Sequence, residues 1–358
     1  VPQIKQDMQE IYQAVEQLNP VMANPQEVRD PKNHKVVLSS LSKIEQKADS
    51  VESHGGKTDH RFVLGAHMLR TMAEQSKEHY QAKRFDAASS QVRKMAHTCF
   101  DCHSRTPGAK ADDSFAKLSE KLLASEVTTT ERARLLMATR QFEKADKLYQ
   151  KILSEQNFKW YEFSHNSPLL DYMILKIRVV PDFPGLNKQL AIIAQSMELP
   201  LYLSEYLKAW QKSLVRIQKD KSLQEISLAA AKANLQAGNE VGSYHLDRTV
   251  LVHYLQASRI LGQLLATKKL TAGERSEAYY LMGVSEVMTG RRFWLSQAAS
   301  YLEAAIRTSP QSESARKAYR MLEEHIIIYA FSVQPEFLKT SQFAKKLQEL
   351  KKTMAVKS

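Results

Sequence analysis

Apolar residues recur along this chain at three- and four-residue intervals almost from end to end, and strand-like alternation is scarce. The pattern predicts an all-α protein. Four such segments fill the first part of the chain. One carries Ile4, Met8, Ile11, Val15 and Leu18 on a single stripe. A second carries Val37, Leu41, Ile44, Ala48 and Val51 and stops at Gly55-Gly56. A third starts after Asp59, a residue type suited to an N-cap, and runs through Phe62, Ala66, Leu69 and Ala73. A fourth carries Phe85, Ala88, Val92, Met95 and Cys99. Four amphipathic helices with short connections predict an up-down-up-down four-helix bundle over residues 1–106.

Glycine and proline punctuate the rest, at Asn19-Pro20, Asp30-Pro31, Pro107-Gly108, Pro181 to Gly185, Gly290, Pro310 and Pro335. Residues 104–116 are polar, lack an apolar stripe and read as a linker. Residues 117–358 read as a helical domain with weak internal repetition. Ala133, Leu136, Ala145 and Tyr149 fall at the small-and-bulky spacing of a tetratricopeptide (TPR) repeat. So do Tyr279, Gly283, Ala298, Leu302, Ala305 and Pro310, with a turn around Arg291 to Trp294 that is about three residues too long. The expectation is a TPR-like α-solenoid. Trp160, Trp210 and Trp294 are expected to pack inside it.

The stretch His97-Thr-Cys-Phe-Asp-Cys-His-Ser104 closes the fourth segment and holds the chain's only two cysteines, Cys99 and Cys102, followed directly by His103. Cys-x-x-Cys-His is the pattern that attaches a c-type haem. Two thiols three positions apart lie on one face of a helical turn, where each can add to a haem vinyl group. The adjacent imidazole can then reach the iron as proximal ligand. A zinc site needs further thiol or imidazole ligands at close spacing. A thioredoxin-like motif needs a strand before it, where this chain reads as helix. Both cysteines would be used by one covalent haem c, so no disulfide framework is available.

Four helices ending in Cys-x-x-Cys-His resemble the cytochrome c-prime family of four-helix-bundle cytochromes, over residues 1–106. The resemblance implies a haem-carrying bundle, export to a bacterial periplasm and a possible homodimer. Ser104-Arg105-Thr106-Pro107 departs from it, because family members often continue the helix for another turn with a basic residue. The sequence shows no secretory signal, and numbering from Val1 is expected to be that of a processed chain.

The partner on the iron's other face decides the function. In an up-down-up-down bundle the start of the first helix lies level with the end of the fourth, which puts Met8 at haem height on the inward stripe. Met22 shares the stripe, but fourteen residues further on it is roughly 20 Å away. Certain family members use a Met of the first helix as sixth ligand, so the resemblance favours His103 and Met8 as the iron's ligands. His60, His67 and Met68, near the start of the third helix, remain alternatives, as does an open or apolar face. Tyr12, Phe62 and Phe100 are candidates to wall the haem, and His97 is expected at the surface.

The formal charge of +12 and pI near 9.4 turn attention to anionic partners. Lys and Arg are interspersed with Asp and Glu along the helices, and a periplasmic protein meets no nucleic acid, so the expected partner is an acidic protein. No run of eighteen apolar residues occurs, so no membrane span is expected. The remaining histidines are scattered and no catalytic constellation emerges, so no enzyme is expected. The reading is a monohaem electron carrier whose helical repeats dock a protein or peptide. A sensor of nitric oxide or carbon monoxide with an open sixth site is one alternative, and an assembly scaffold with a structural haem is another.

Overall fold

The computed structural model describes residues 2–55, 60–105, 128–154, 167–196, 199–242, 247–266, 269–289, 296–332 and 342–355. It is all-helical, with no strand among the described residues. The chain divides into two compact units, Val1–Glu155 and Gln156–Ser358. The expected linker lies outside the described residues from Thr106 to its end, as do Asp59, Pro107-Gly108, Trp160, Gly290, Trp294 and Pro335. Residues 129–154, read in the sequence as the start of the repeat domain, belong to the first unit.

In that unit, α1 (Pro2–Ala23), α2 (His34–Gly55), α3 (His60–Gln81) and α4 (Phe85–Arg105) pack in a ring, each against the next and α1 against α4. Their apolar stripes meet in one core. Ile11, Val15, Leu18, Val37, Leu41, Ile44, Ala48, Val51, Ala66, Leu69, Ala73, Ala88, Val92 and Met95 are all buried, and Ile4, Met8, Phe85 and Cys99 pack partly buried against them. The joint expected at Asn19-Pro20 is instead helical. Pro20 sits in the last turn of α1, where its missing N–H costs a single bond before the helix stops at Ala23. Asp7, fully buried on α1, accepts hydrogen bonds from Lys47 Nζ (3.2 Å) and Ser50 Oγ (2.7 Å) of α2, which fixes the antiparallel register of that pair. Two further helices, α5 (Thr129–Ala138) and α6 (Phe142–Ser154), form a hairpin, and α5 packs along α4. A reciprocal cap opens α5: the Thr128 hydroxyl accepts from the Glu131 N–H, and the Glu131 carboxylate accepts from the Thr128 N–H.

The second unit begins with α7 (Pro168–Ile174), which winds on into a π-helical turn at Leu175–Val179. It continues through α8 (Phe183–Ser196), α9 (Leu201–Lys219), α10 (Leu228–Val241), α11 (Leu251–Ala266), α12 (Ala272–Thr289), α13 (Ser296–Thr308), α14 (Glu313–Ser332) and α15 (Gln342–Ala355). From α10 onward each helix packs on the next, and α10 on α12, α12 on α14 and α13 on α15 as well. Trp210 is fully buried here, its indole N–H donating to the Arg248 carbonyl at 2.6 Å. A β-carbon at Gly283 would stand 2.7 Å from a Leu302 methyl, so glycine is what lets α12 and α13 approach. No described helix is long and apolar enough to cross a membrane.

Candidate functional site

A tight turn launches α4. Lys83 adopts a left-handed conformation (φ 58°), with Lys83 N bonded to Tyr80 O at 3.0 Å and Arg84 N to His79 O at 2.8 Å. From there α4 runs antiparallel to α1 and α3. Its contacts with α1 include the Ser89 hydroxyl on the Met22 sulfur (3.7 Å) and Cys99 within electrostatic reach of Tyr12. With α3 it makes a contact between the Thr98 hydroxyl and the Met72 sulfur (3.4 Å), and Cys102 lies against Gly65. The two cysteines therefore share one end of α4 but look to different neighbours, Cys99 to α1 and Cys102 to α3. They are about 60° apart around the helix.

Gly65 is the close point. A β-carbon there would stand 2.9 Å from the Cys102 sulfur, so only glycine leaves that thiol its space. Burial pushes the Tyr12 hydroxyl up from its ordinary range, with Glu16 and Cys99 adding to the effect.

His103 is held from outside the ring of four helices. Its Nδ1 meets the backbone carbonyl of Ala138, the last residue of α5. A carbonyl only accepts, so Nδ1 carries the proton and Nε2 is left with its lone pair. Burial pushes the imidazole down to about 4, with the Arg140 charge adding to it and the Ala138 bond opposing it. The ring is thus neutral near pH 7, as an iron or other metal ligand must be. An N–H given to a backbone carbonyl is also the usual way a ligating histidine is oriented. The residues present therefore fit a covalent haem: two thiols at attachment spacing and an oriented, neutral imidazole next to the second.

Met8 belongs to the face of α1 that carries Val15 and Met22, and packs partly buried on the core. Tyr12 to Met22 and Cys99 to Ser89 are equal steps in opposite directions along α1 and α4. Four residues further the other way, Met8 comes level with His103. His67 does not share that side. It lies about 200° around α3 from Gly65, and its Nδ1 stands 3.4 Å from a Glu52 oxygen and 3.2 Å from an Arg70 nitrogen, on the side of α3 that meets α2. Met68 is buried in the core, level with Cys99 by the same register argument. The side chains of His60, Phe62, His97 and Phe100 lie outside the described residues.

The sequence pattern missed Gly65, Ala138 and Arg140. Ala138 acts through its backbone, which leaves no mark in a sequence. Gly65 sits inside a helical pattern, where an isolated glycine signals a close approach. Among the described residues, no three His, Cys, Asp or Glu side chains form a group able to hold a bare metal ion. Compared with protein-family models, with curated proteins and with solved structures, the chain matches none.

Proposed function

We propose that the chain carries one haem c, joined covalently to Cys99 and Cys102, with His103 and Met8 as its iron ligands. It would work as a periplasmic one-electron carrier whose first unit is a four-helix-bundle cytochrome extended by the α5–α6 hairpin. The observation that carries this reading is His103, whose Nδ1 proton is committed to the Ala138 carbonyl and whose Nε2 is free of a proton beside the two thiols. Bound haem supplies a one-electron couple, and methionine–histidine ligation raises its potential and closes the iron to substrate or gas. The chain's own residues do the rest. The cysteines fix the group, Ala138 orients the imidazole, Gly65 leaves room at Cys102, and Met68 keeps water from the level of Cys99.

The second unit is proposed to be a TPR-like solenoid, a reading supported by the packing of each helix from α10 onward on the next and by the close approach of Gly283 to Leu302. Twenty-seven Lys and Arg against eighteen Asp and Glu give residues 156–358 a charge of +9, so the docked protein would be acidic. The protein is not proposed to be an enzyme, and a homodimer of the first unit is in keeping with the resemblance. The test is expression of the full chain with haem-attachment machinery, followed by acid–acetone extraction. Haem should stay with the polypeptide, and Cys99→Ala with Cys102→Ala should leave apoprotein. Haem released freely from the wild-type chain would end this reading.

A further inference from the structure

The α5–α6 hairpin meets the haem motif through its turn. Thr139, next to Ala138, is tied by its hydroxyl to the Leu135 carbonyl (2.8 Å), and Gln141 Nε2 donates to that hydroxyl (2.9 Å). The turn closes through Arg140 N to Met137 O at 3.1 Å and Gln141 N to Leu136 O at 2.8 Å. Arg140 at its apex has φ 59°, a left-handed conformation that glycine would take without strain. An arginine instead occupies it, two residues from the carbonyl that holds His103. We infer that this turn is the proximal wall of the haem site, with the Ala138 carbonyl orienting the iron-ligating imidazole and Arg140 a positioning residue whose charge raises the haem's reduction potential. The inference rests on the haem attachment proposed above. A fixed positive charge beside the ligand disfavours the more positive, oxidised iron.

The experiment uses the full-length holoprotein, Arg140→Gly, which suits the left-handed turn, and Arg140→Lys, which keeps the charge. Helical circular dichroism and the haem-to-protein ratio establish that each variant is folded and loaded. Arg140→Gly should shift the reduction equilibrium about tenfold toward the oxidised form, about 59 mV for a one-electron couple. Arg140→Lys should restore most of it. In wild type, the His103 Nδ1 proton should appear in the NMR spectrum as a slowly exchanging resonance, as a proton held by a buried carbonyl is. Loaded wild type and Arg140→Gly with the same potential, or a His103 proton that exchanges at solvent rates, would overturn the inference and leave covalent attachment standing. A chain from which acid–acetone removes the haem would overturn both.

Discussion

Burial pushes two imidazoles down to about 4, His103 beside the thiols and His253 within α11. His253 is fully buried and its Nδ1 lies 3.3 Å from the side-chain amide oxygen (Oδ1) of Asn234, so that nitrogen carries the proton and the ring stays neutral. The unfolded chain binds a proton near 6.5 and the folded one only near 4, so stability is lost as pH falls through that window. The loss is at most about 3 kcal/mol, because each pH unit between the two values is worth about 1.36 kcal/mol. All three tryptophans lie in residues 156–358, so urea unfolding followed by their fluorescence reports this unit. His253→Gln should flatten the fall in its midpoint between pH 6.5 and 4, and an unchanged pH profile would refute a neutral His253. At the proposed haem site, Gly65→Val should lower the covalent haem found per chain while helix content holds, because the new side chain fills the space beside Cys102. With Met8 as the proposed sixth ligand, Met8→Ala should convert low-spin ferric haem to high-spin and open the ferrous form to carbon monoxide. Carbon monoxide binding by the wild type would instead favour the gas-binding alternative.

Between elements, the π-helical turn at Leu175–Val179 buries Arg178, whose guanidinium meets Glu286 of α12 at 3.1 Å with both side chains nearly inaccessible. Removing one partner of a buried pair leaves the other charged and desolvated. Glu286→Ala should therefore cost about 3–5 kcal/mol, while Arg178→Met with Glu286→Leu should recover most of it. Fluorescence-monitored unfolding of the two variants measures the difference. The helices themselves were legible because a 3.6-residue stripe reports which face is buried, and the stripes of the first four segments became one core. That Met8 lies level with His103 was legible for the same reason, since antiparallel register follows from helix lengths and short loops. Three things were not. A proline in a last turn looks the same as one in a joint, so α1 runs past Asn19-Pro20. His67 sits level with the Cys99–Cys102 turn but on the side of α3 that meets α2, where Glu52 and Arg70 hold it. The bond from His103 to Ala138 joins residues thirty-five apart through a backbone oxygen, which no side-chain pattern encodes.

At the scale of the whole molecule, the question is where the part proposed to carry haem ends. Composition set the break at 104–116, yet compactness sets it between Glu155 and Gln156, because α5 packs along α4 and its last carbonyl takes the His103 proton. Charge divides in the same place. Residues 156–358 hold +9 of the +12, so capture of the proposed acidic partner should belong to the second unit and weaken as salt screens charges beyond about 10 Å at 0.1 M. Two truncations expressed with haem-attachment machinery separate the alternatives. Residues 1–155 should match the full chain in optical spectrum and midpoint potential, since every residue assigned to the site lies within them. Residues 1–106 keep both thiols, His103 and Met8 but lose the Ala138 acceptor and the Arg140 charge. They should attach haem and show a lower potential and a less stable apoprotein. If 1–106 instead reproduces the full chain's potential, the hairpin does nothing for the iron, and the polar stretch after α4 is the true boundary of the proposed cytochrome.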